Sequence, residues 1–385
     1  MSLEWIDQEL QKLIESDLLR ERVSRSGKLG PKVVIDGKRY ISFASNDYLG
    51  IAADRSLDEI IAKTVLRGGW GSGASPLIVG RSAMHAELER RLATFLGCET
   101  SLLFPSGFAA NAGTIPTLVG KDDVIFSDAK NHASIIDGCR LSGAKIVVYP
   151  HVNADALEKL MQNHASEANK RLIVTDSLFS MDGNTAPIER LAELAREHDA
   201  MLMVDEAHAL GVVGPNGRGV AAEADLVNSV DVLVGTLSKS FGSHGGFVAG
   251  STKLIDYLAN RARSYVFSTA SPVTASAVAL AALGIIRDEP VRRERLLQTA
   301  DNLRSQLQSS GWNTGQSQYQ IIPIVLGEAK RAIELSARLR EKGFWVPCIR
   351  PPTVPAGESC LRISLCSGHS KEMVSALVEV LGQSD

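Results

Sequence analysis

An α/β fold is what the amino-acid sequence predicts, with a mostly parallel central sheet, helices on both of its faces and a smaller α+β domain toward the C-terminus. Three features lead there. Short apolar runs alternate with helical patterns between residues 101 and 250, as consecutive βαβ units do. Those runs are nearly continuous in Val, Ile and Leu and show no polar alternation, which marks strands buried on both faces. After residue 288 the order changes to a long charged helix, a strand, a helix, a strand and a last helix.

In chain order, residues 3–22 read as an amphipathic helix, with Leu3, Ile6, Leu10, Leu13, Ile14 and Leu18 at helical spacing. VVIDGKRYISF reads as a hairpin turning at Asp36-Gly37. SNDYLG (45–50) and the glycine-rich GGWGSGASPLIVG (68–80) follow, the latter too apolar for a flexible linker. A helix over 84–97 closes on Gly97. The alternating region then supplies strands at 101–104, 123–127, 145–149, 171–176, 200–205, 230–236 and 245–250. A helix over 272–288 precedes the charged helix 290–310, a strand at 320–326, a helix at 329–342, a strand at 360–366 and a helix at 370–382. The expected organisation is an N-terminal segment 1–50, a large domain 51–271 and a small domain 272–385.

Composition removes several classes of function. The 385 residues carry 41 Lys+Arg against 44 Asp+Glu, a net charge of -3, so no basic face is expected to neutralise a nucleic-acid backbone. Five cysteines, Cys98, Cys139, Cys348, Cys360 and Cys366, form no CxxC pair and support neither a zinc site nor a disulfide framework. Free thiols in a large core suggest a reducing compartment, and a cytoplasmic location is expected. The acidic start of the chain, with Glu4, Asp7, Glu9, Glu15, Asp17 and Glu21, is unlike a signal or transit peptide. The uncharged stretch Ser264 to Ile286 is 23 residues long, but its hydroxyl groups and Pro272 favour a buried helix after a polar loop over a membrane span.

The chemistry-bearing residues gather at strand ends, where α/β folds open their ligand crevice. In AMLMVDEAHALG, Asp205 ends a strand and His208 follows; on the residues alone a turn-capping Asp is an equal reading. The DEAH letters come without a GxxxxGK[ST] phosphate loop, so a helicase is excluded. In VDVLVGTLSKSFGSHGG, Lys239 follows a buried strand among Thr236, Ser238, Ser240 and Gly242, a setting that suits an imine-forming amine. LLFPSGFAANAG sets a turn before a helix whose first N–H groups suit a phosphate. FSDAKNHASIIDG puts His132 at another helix start, either as a cap or as a site residue, and TDSLFSMDGNTAP carries Ser177, Ser180 and Asp182. A phosphate site, a carboxylate, two histidines and a lysine are the set that pyridoxal phosphate requires.

At this level the chain resembles the α-oxoamine synthases among the fold-type I pyridoxal-phosphate enzymes, whose architecture is that of aspartate aminotransferase. SNDYLG (45–50), LFPSGFAAN (103–111), NHAS (131–134), SLFSMDG (177–183), VDEAHALG (204–211), GTLSKSFG (235–242) and LRISLCSGH (361–369) all match family motifs. IRPPTVPAG (349–357) resembles the member that joins L-alanine to a pimeloyl thioester in biotin synthesis. Siblings use glycine with acetyl-CoA or succinyl-CoA and stay open as an alternative. Ala74 and Val79 depart from the glycine and the serine or threonine common there, which bears on alanine against glycine selection.

The resemblance implies pyridoxal 5'-phosphate as cofactor and a role for each matched residue. Lys239 binds the cofactor aldehyde and moves the Cα proton; Asp205 pairs with the ring nitrogen; His132 stacks on the ring and contacts substrate. Ser180 and His208 bond the phenolic oxygen. Gly107, Phe108, Thr236 and Ser238 hold the phosphate, and Ser268 and Thr269 reach a neighbouring subunit's phosphate, which implies a homodimer with shared sites. Asn46 and Arg362 face the amino-acid carboxylate, and Arg20 and Thr353 contact the acyl chain. No metal and no membrane partner is implied.

Overall fold

The computed structural model describes residues 3–164 and 168–383. By packing, the chain forms two compact units. The larger holds residues 54–180 and 184–293; the smaller holds 1–53, 181–183 and 294–385.

The smaller unit contains two sheets. Strands β1 (Arg25–Ser26), β2 (Lys32–Ile35) and β3 (Lys38–Ser42) form an antiparallel meander that β12 (Phe344–Trp345) extends in parallel beside β3. Asp36 and Gly37 make the two-residue turn with φ of 47° and 79°, the left-handed pair that matches strand twist. β11 (Ile321–Gly327), β14 (Ser359–Ser364) and β13 (Cys348–Ile349) form the second sheet, antiparallel throughout.

The larger unit is built on seven strands: β4 (Thr100–Phe104), β5 (Val124–Asp128), β6 (Lys145–Tyr149), β7 (Arg171–Asp176), β8 (Met201–Asp205), β9 (Val232–Thr236) and β10 (Gly246–Gly250). Their order across the sheet is β4-β10-β9-β8-β7-β5-β6. Only β10 runs against its neighbours, so the C-terminal ends of the other six and the first residue of β10 share one edge. Both faces are covered. Leu172, Val174, Met203, Val232, Val234 and Val248 pack with Ile115, Ile135 and Leu258 from helices Gly107–Leu118, Ala133–Ser142 and Thr252–Arg261, while Ile173, Leu202 and Val204 are equally buried on the other side. At about 25 cal/mol per Å² of apolar surface, this two-sided burial is the main force holding the strands in register.

Two expectations are corrected. The N-terminal helix is Glu4–Glu15 rather than 3–22: it has no buried residue, and Asp17 turns left-handed (φ 58°) just beyond it. The expected boundary at 271/272 moves to 293/294, and 1–50 is not a separate segment but part of the smaller unit. The physical reason is packing. Helix Val273–Asp288 lies against helices Asp58–Gly68 and Ala83–Leu96 of the larger unit, and β3 pairs with β12. Among the described residues no helix is long and apolar enough to cross a membrane.

Candidate active site

The shared strand edge of the larger unit assembles the candidate cofactor site. β10 begins at Gly246, which pairs with Phe104 on one side and Thr236 on the other. The turn after β4 folds over this point. A Cβ on Gly246 would lie 2.4 Å from Gly107 N, and one on Gly107 would lie 3.3 Å from the Thr236 side chain. Glycine is needed at 246 because backbone occupies the place of a side chain. Ser106 caps the following helix, its hydroxyl accepting the Ala109 N–H at 3.0 Å. The Gly107 and Phe108 N–H groups are thereby left at the open helix end, beside Thr236. The Thr236 hydroxyl donates to Gly245 O at 3.0 Å and meets Ser238 Oγ at 2.8 Å.

Lys239 stands in the loop that joins β9 to β10. That loop is tightened by Leu237 N to Gly245 O (2.9 Å), Ser243 N to Leu237 O (2.8 Å) and Gly242 N to Lys239 O (2.9 Å). Lys239 is half-buried.

On the strand next to β9, Asp205 ends β8 as a buried carboxylate. Its oxygens accept from Ala207 N (2.8 Å) and Asn111 Nδ2 (2.6 Å). Both donors are neutral, and further lone pairs remain to accept a proton donor. Asn111 also donates to Ser134 Oγ at 2.9 Å, and Ser134 Oγ lies 2.8 Å from His132 Nδ1. A chain of polar contacts therefore runs from Asp205 to His132. The main-chain N–H of His132 donates to Asp176 Oδ2 at 2.7 Å. His132 is exposed on this edge, yet desolvation of its imidazole, opposed by the Asp205 charge and reinforced by that of Lys239, lowers its pKa and keeps the ring neutral at pH 7.

Asp176 pairs directly with Asp205 in the β7–β8 register and is also buried. Burial and the adjacent Asp205 charge drive its pKa well above the usual carboxylate range, against the His132 N–H and Lys239. Two carboxyls side by side at low dielectric do not both ionise readily.

The remaining sequence-predicted residues distribute as follows. His208 is buried in the turn after β8, where Ala209 N and Leu210 N both bond Glu206 O at 2.9 Å. Ser180 is half-buried in the loop after β7. Ser268 and Thr269 follow helix Arg263–Val266 and are half-buried and exposed respectively. Ala270 N bonds Ala74 O at 3.0 Å, setting this stretch beside the wide turn Pro76–Gly80.

In the smaller unit Asn46 and Arg362 meet, Arg362 Nη2 to Asn46 Oδ1 at 3.2 Å, with Arg362 buried on β14. Arg20 and Thr353 also meet, Nη2 to Oγ1 at 3.2 Å. The Arg350 guanidinium bonds the carbonyls of Asp17 and Leu19, which ties the stretch before Arg20 to the loop of Thr353. Both pairings are separated by more than 300 residues in the chain.

Sequence reading missed Asn111, Ser134 and Asp176 as site residues. All three lie in quoted segments, at a strand end or in the first turns of a helix, so position was the available signal.

The donors fit pyridoxal phosphate: helix-end N–H groups beside a hydroxyl, a lysine, and a buried carboxylate held by neutral partners. Comparison with known proteins agrees. The family model for aminotransferases of class I and II matches residues 38–381.

The chain belongs to that family.

It is a fold-type I pyridoxal-phosphate enzyme of the α-oxoamine synthase group. Among family members, it is 46% identical to an 8-amino-7-oxononanoate synthase of Geobacter sulfurreducens over 97% of this chain and 96% of that one. It is 43% identical to an 8-amino-7-oxononanoate synthase of Aromatoleum aromaticum over 100% and 99%. Among solved structures it resembles a serine palmitoyltransferase from S. paucimobilis with PLP and myriocin bound, with TM-score 0.94 and 30% identity over 100% and 98% of the two chains. An 8-amino-7-oxononanoate synthase from Francisella tularensis matches with TM-score 0.79 and 30% identity over 90% and 97%.

Proposed function

We propose that this enzyme condenses L-alanine with a pimeloyl thioester, releasing 8-amino-7-oxononanoate, CO2 and the free thiol, in biotin biosynthesis. The observation that carries the reading is identity of 43–47% over nearly the whole chain to relatives of that activity.

Pyridoxal 5'-phosphate, when bound, supplies an aldehyde for the amino acid and a ring that accepts electrons from its Cα. Gly107, Phe108 and Thr236, with Ser238, hold its phosphate through backbone and hydroxyl donors. Lys239 would anchor the aldehyde, and its free amine would take the Cα proton of the amino acid. Asp205 keeps a proton on the ring nitrogen, and Asn111 holds that carboxylate in place. His132, neutral at pH 7, would pack against the ring and contact the substrate. His208 and Ser180 would donate to the phenolic oxygen. Arg362 and Asn46 bind the alanine carboxylate until it leaves as CO2, and Arg20 and Thr353 receive the acyl chain. Binding the carboxylate by a buried arginine fixes which Cα bond is broken.

The enzyme acts as a homodimer in this reading. Beside Ser268 and Thr269 the larger unit exposes Phe267 and, on the adjoining turn, Ile78 and Val79 at 74%, 75% and 81%, an apolar surface that suits a second copy. A cytoplasmic location suits its five free thiols.

The test is turnover with pimeloyl-, succinyl- and acetyl-CoA, each against alanine and glycine. Alanine with pimeloyl-CoA should be fastest. Faster reaction of glycine with either short thioester would overturn the substrate assignment.

A further inference from the structure

The buried cluster around Arg362 contains a group to which the reaction above gives no task, the Tyr48 hydroxyl. Tyr48 belongs to the SNDYLG segment and is fully buried. Its backbone is pinned: Tyr48 N bonds Asn46 O at 2.9 Å, and Ser367 N bonds Tyr48 O at 2.8 Å. The hydroxyl donates to Asn46 Oδ1 at 3.3 Å, the same oxygen that accepts Arg362 Nη2 at 3.2 Å. The Arg362 guanidinium and the Gln320 side chain bond the hydroxyl in turn. Ser364 Oγ donates to Ser45 O at 2.7 Å, tying β14 to the residue before Asn46.

The consequence follows from amide chemistry. An asparagine amide has an acceptor side and a donor side, and an unrestrained amide can present either. With Oδ1 engaged by two donors, the Nδ2 hydrogens are what Asn46 offers a ligand. We propose that Tyr48 is a positioning residue that, with Arg362, locks the Asn46 amide with its nitrogen toward the amino-acid carboxylate. This inference rests on the carboxylate role given above to Asn46 and Arg362. Burial holds the phenol above its ordinary pKa, against the opposing pull of Arg362, so the hydroxyl keeps the proton it donates. Were the hydroxyl missing, the amide could turn its oxygen to the carboxylate, and an attractive contact would become a repulsive one.

Tyr48→Phe removes one oxygen and retains the ring. In the PLP-loaded enzyme, binding of alanine and of alanine methyl ester is read from the cofactor's absorbance change, with the thermal midpoint as a check on the fold. Alanine should bind about tenfold more weakly, the effect of one hydrogen bond to a charged-ligand site, while the ester, which lacks the anionic carboxylate, should be unchanged. In an Asn46→Ser background, Tyr48→Phe should cause no further loss, because the tyrosine acts through the amide. Equal weakening of alanine and ester, or none of either, overturns the inference. Arg362→Gln separates the two levels: if it leaves alanine binding unchanged, the carboxylate reading itself falls. If Arg362→Gln weakens alanine and Tyr48→Phe does not, only the role of Tyr48 falls. Should Tyr48→Phe not fold, Asn46→Asp decides. A donor-side amide predicts that alanine affinity is lost and ester affinity kept; equal losses, or none, refute it.

Discussion

Replacing Gly246 by alanine should unmake the phosphate cradle without altering any residue of the reaction. The new Cβ would lie 2.4 Å from Gly107 N and 2.5 Å from the carbonyl carbon and oxygen of Ser106. Ordinary van der Waals contact begins at 3.4 Å, so one side must retreat by about 1 Å. β10 cannot yield, because it is paired with β4 on one side and β9 on the other and buried throughout. The turn at Ser106–Gly107 must therefore move, carrying with it the open end of helix Gly107–Leu118. A hydrogen bond of about 2.9 Å stretched by that amount is no longer a hydrogen bond. Losing one charge-assisted bond of about 1.5–3 kcal/mol corresponds to PLP binding weakened by about 10- to 150-fold. Titration of the apoenzyme with PLP, followed by absorbance, measures this directly. Gly284→Ala is the control: nothing lies within 4 Å of its Cβ, and its place inside helix Val273–Asp288 predicts unchanged PLP affinity. A gain of about 0.5–1 kcal/mol in stability is expected there from helix propensity. If folded Gly246→Ala bound PLP within about twofold of the wild type, the phosphate would not sit at this turn.

Lys239→Ala should abolish turnover while leaving the fold intact; borohydride reduction and peptide mapping of the wild type should find the cofactor on Lys239, and attachment to another lysine would refute the assignment. Asp205→Asn should retain PLP yet slow hydrogen–deuterium exchange at the alanine Cα by at least the ~1.5–3 kcal/mol of a lost charge-assisted bond, and near-normal exchange would contradict its role. Asp176→Asn tests the buried pair through stability. With its folded pKa raised, native Asp176 holds its proton where the unfolded chain has lost it, so stability falls as pH rises from the ordinary carboxylate value through the raised one. The Asn variant should therefore melt above the wild type at about pH 8 and lose that advantage toward about pH 4; the opposite order would mean an ionised, stabilising Asp176. Arg20→Ala should raise the KM for a free-carboxylate pimeloyl thioester and leave alanine binding unchanged, and a loss confined to alanine would refute its place in the acyl site.

Much of the architecture is local and therefore legible. All seven strands of the large sheet lie within two residues of their apolar runs, because strand burial on both faces leaves continuous Val, Ile and Leu. Turn and cap chemistry is equally local: Asp36-Gly37 turns the hairpin, and Gly97 ends its helix left-handed at φ 82°. Lys239 and Asp205 stood out because each follows or ends an apolar run, and in an α/β sheet that position is the ligand edge. What tertiary structure decided is which of these segments meet. Nothing in GGFVAG announces that β10 runs antiparallel between β4 and β9, yet this insertion is what brings the Ser106–Gly107 turn over Gly246 and beside Thr236. Asn111 reaches Asp205 across 94 positions and Arg362 reaches Asn46 across 316. The opposition of Asp176 to Asp205 exists only once β7 and β8 are in register. Periodicity records a chain's relation to its own nearest turn or pleat, so it fixes elements and the ends of elements. Partner choice between distant segments is settled by the packing of the whole core against the entropy of closing the loops between them, and no stretch of sequence carries that sum alone.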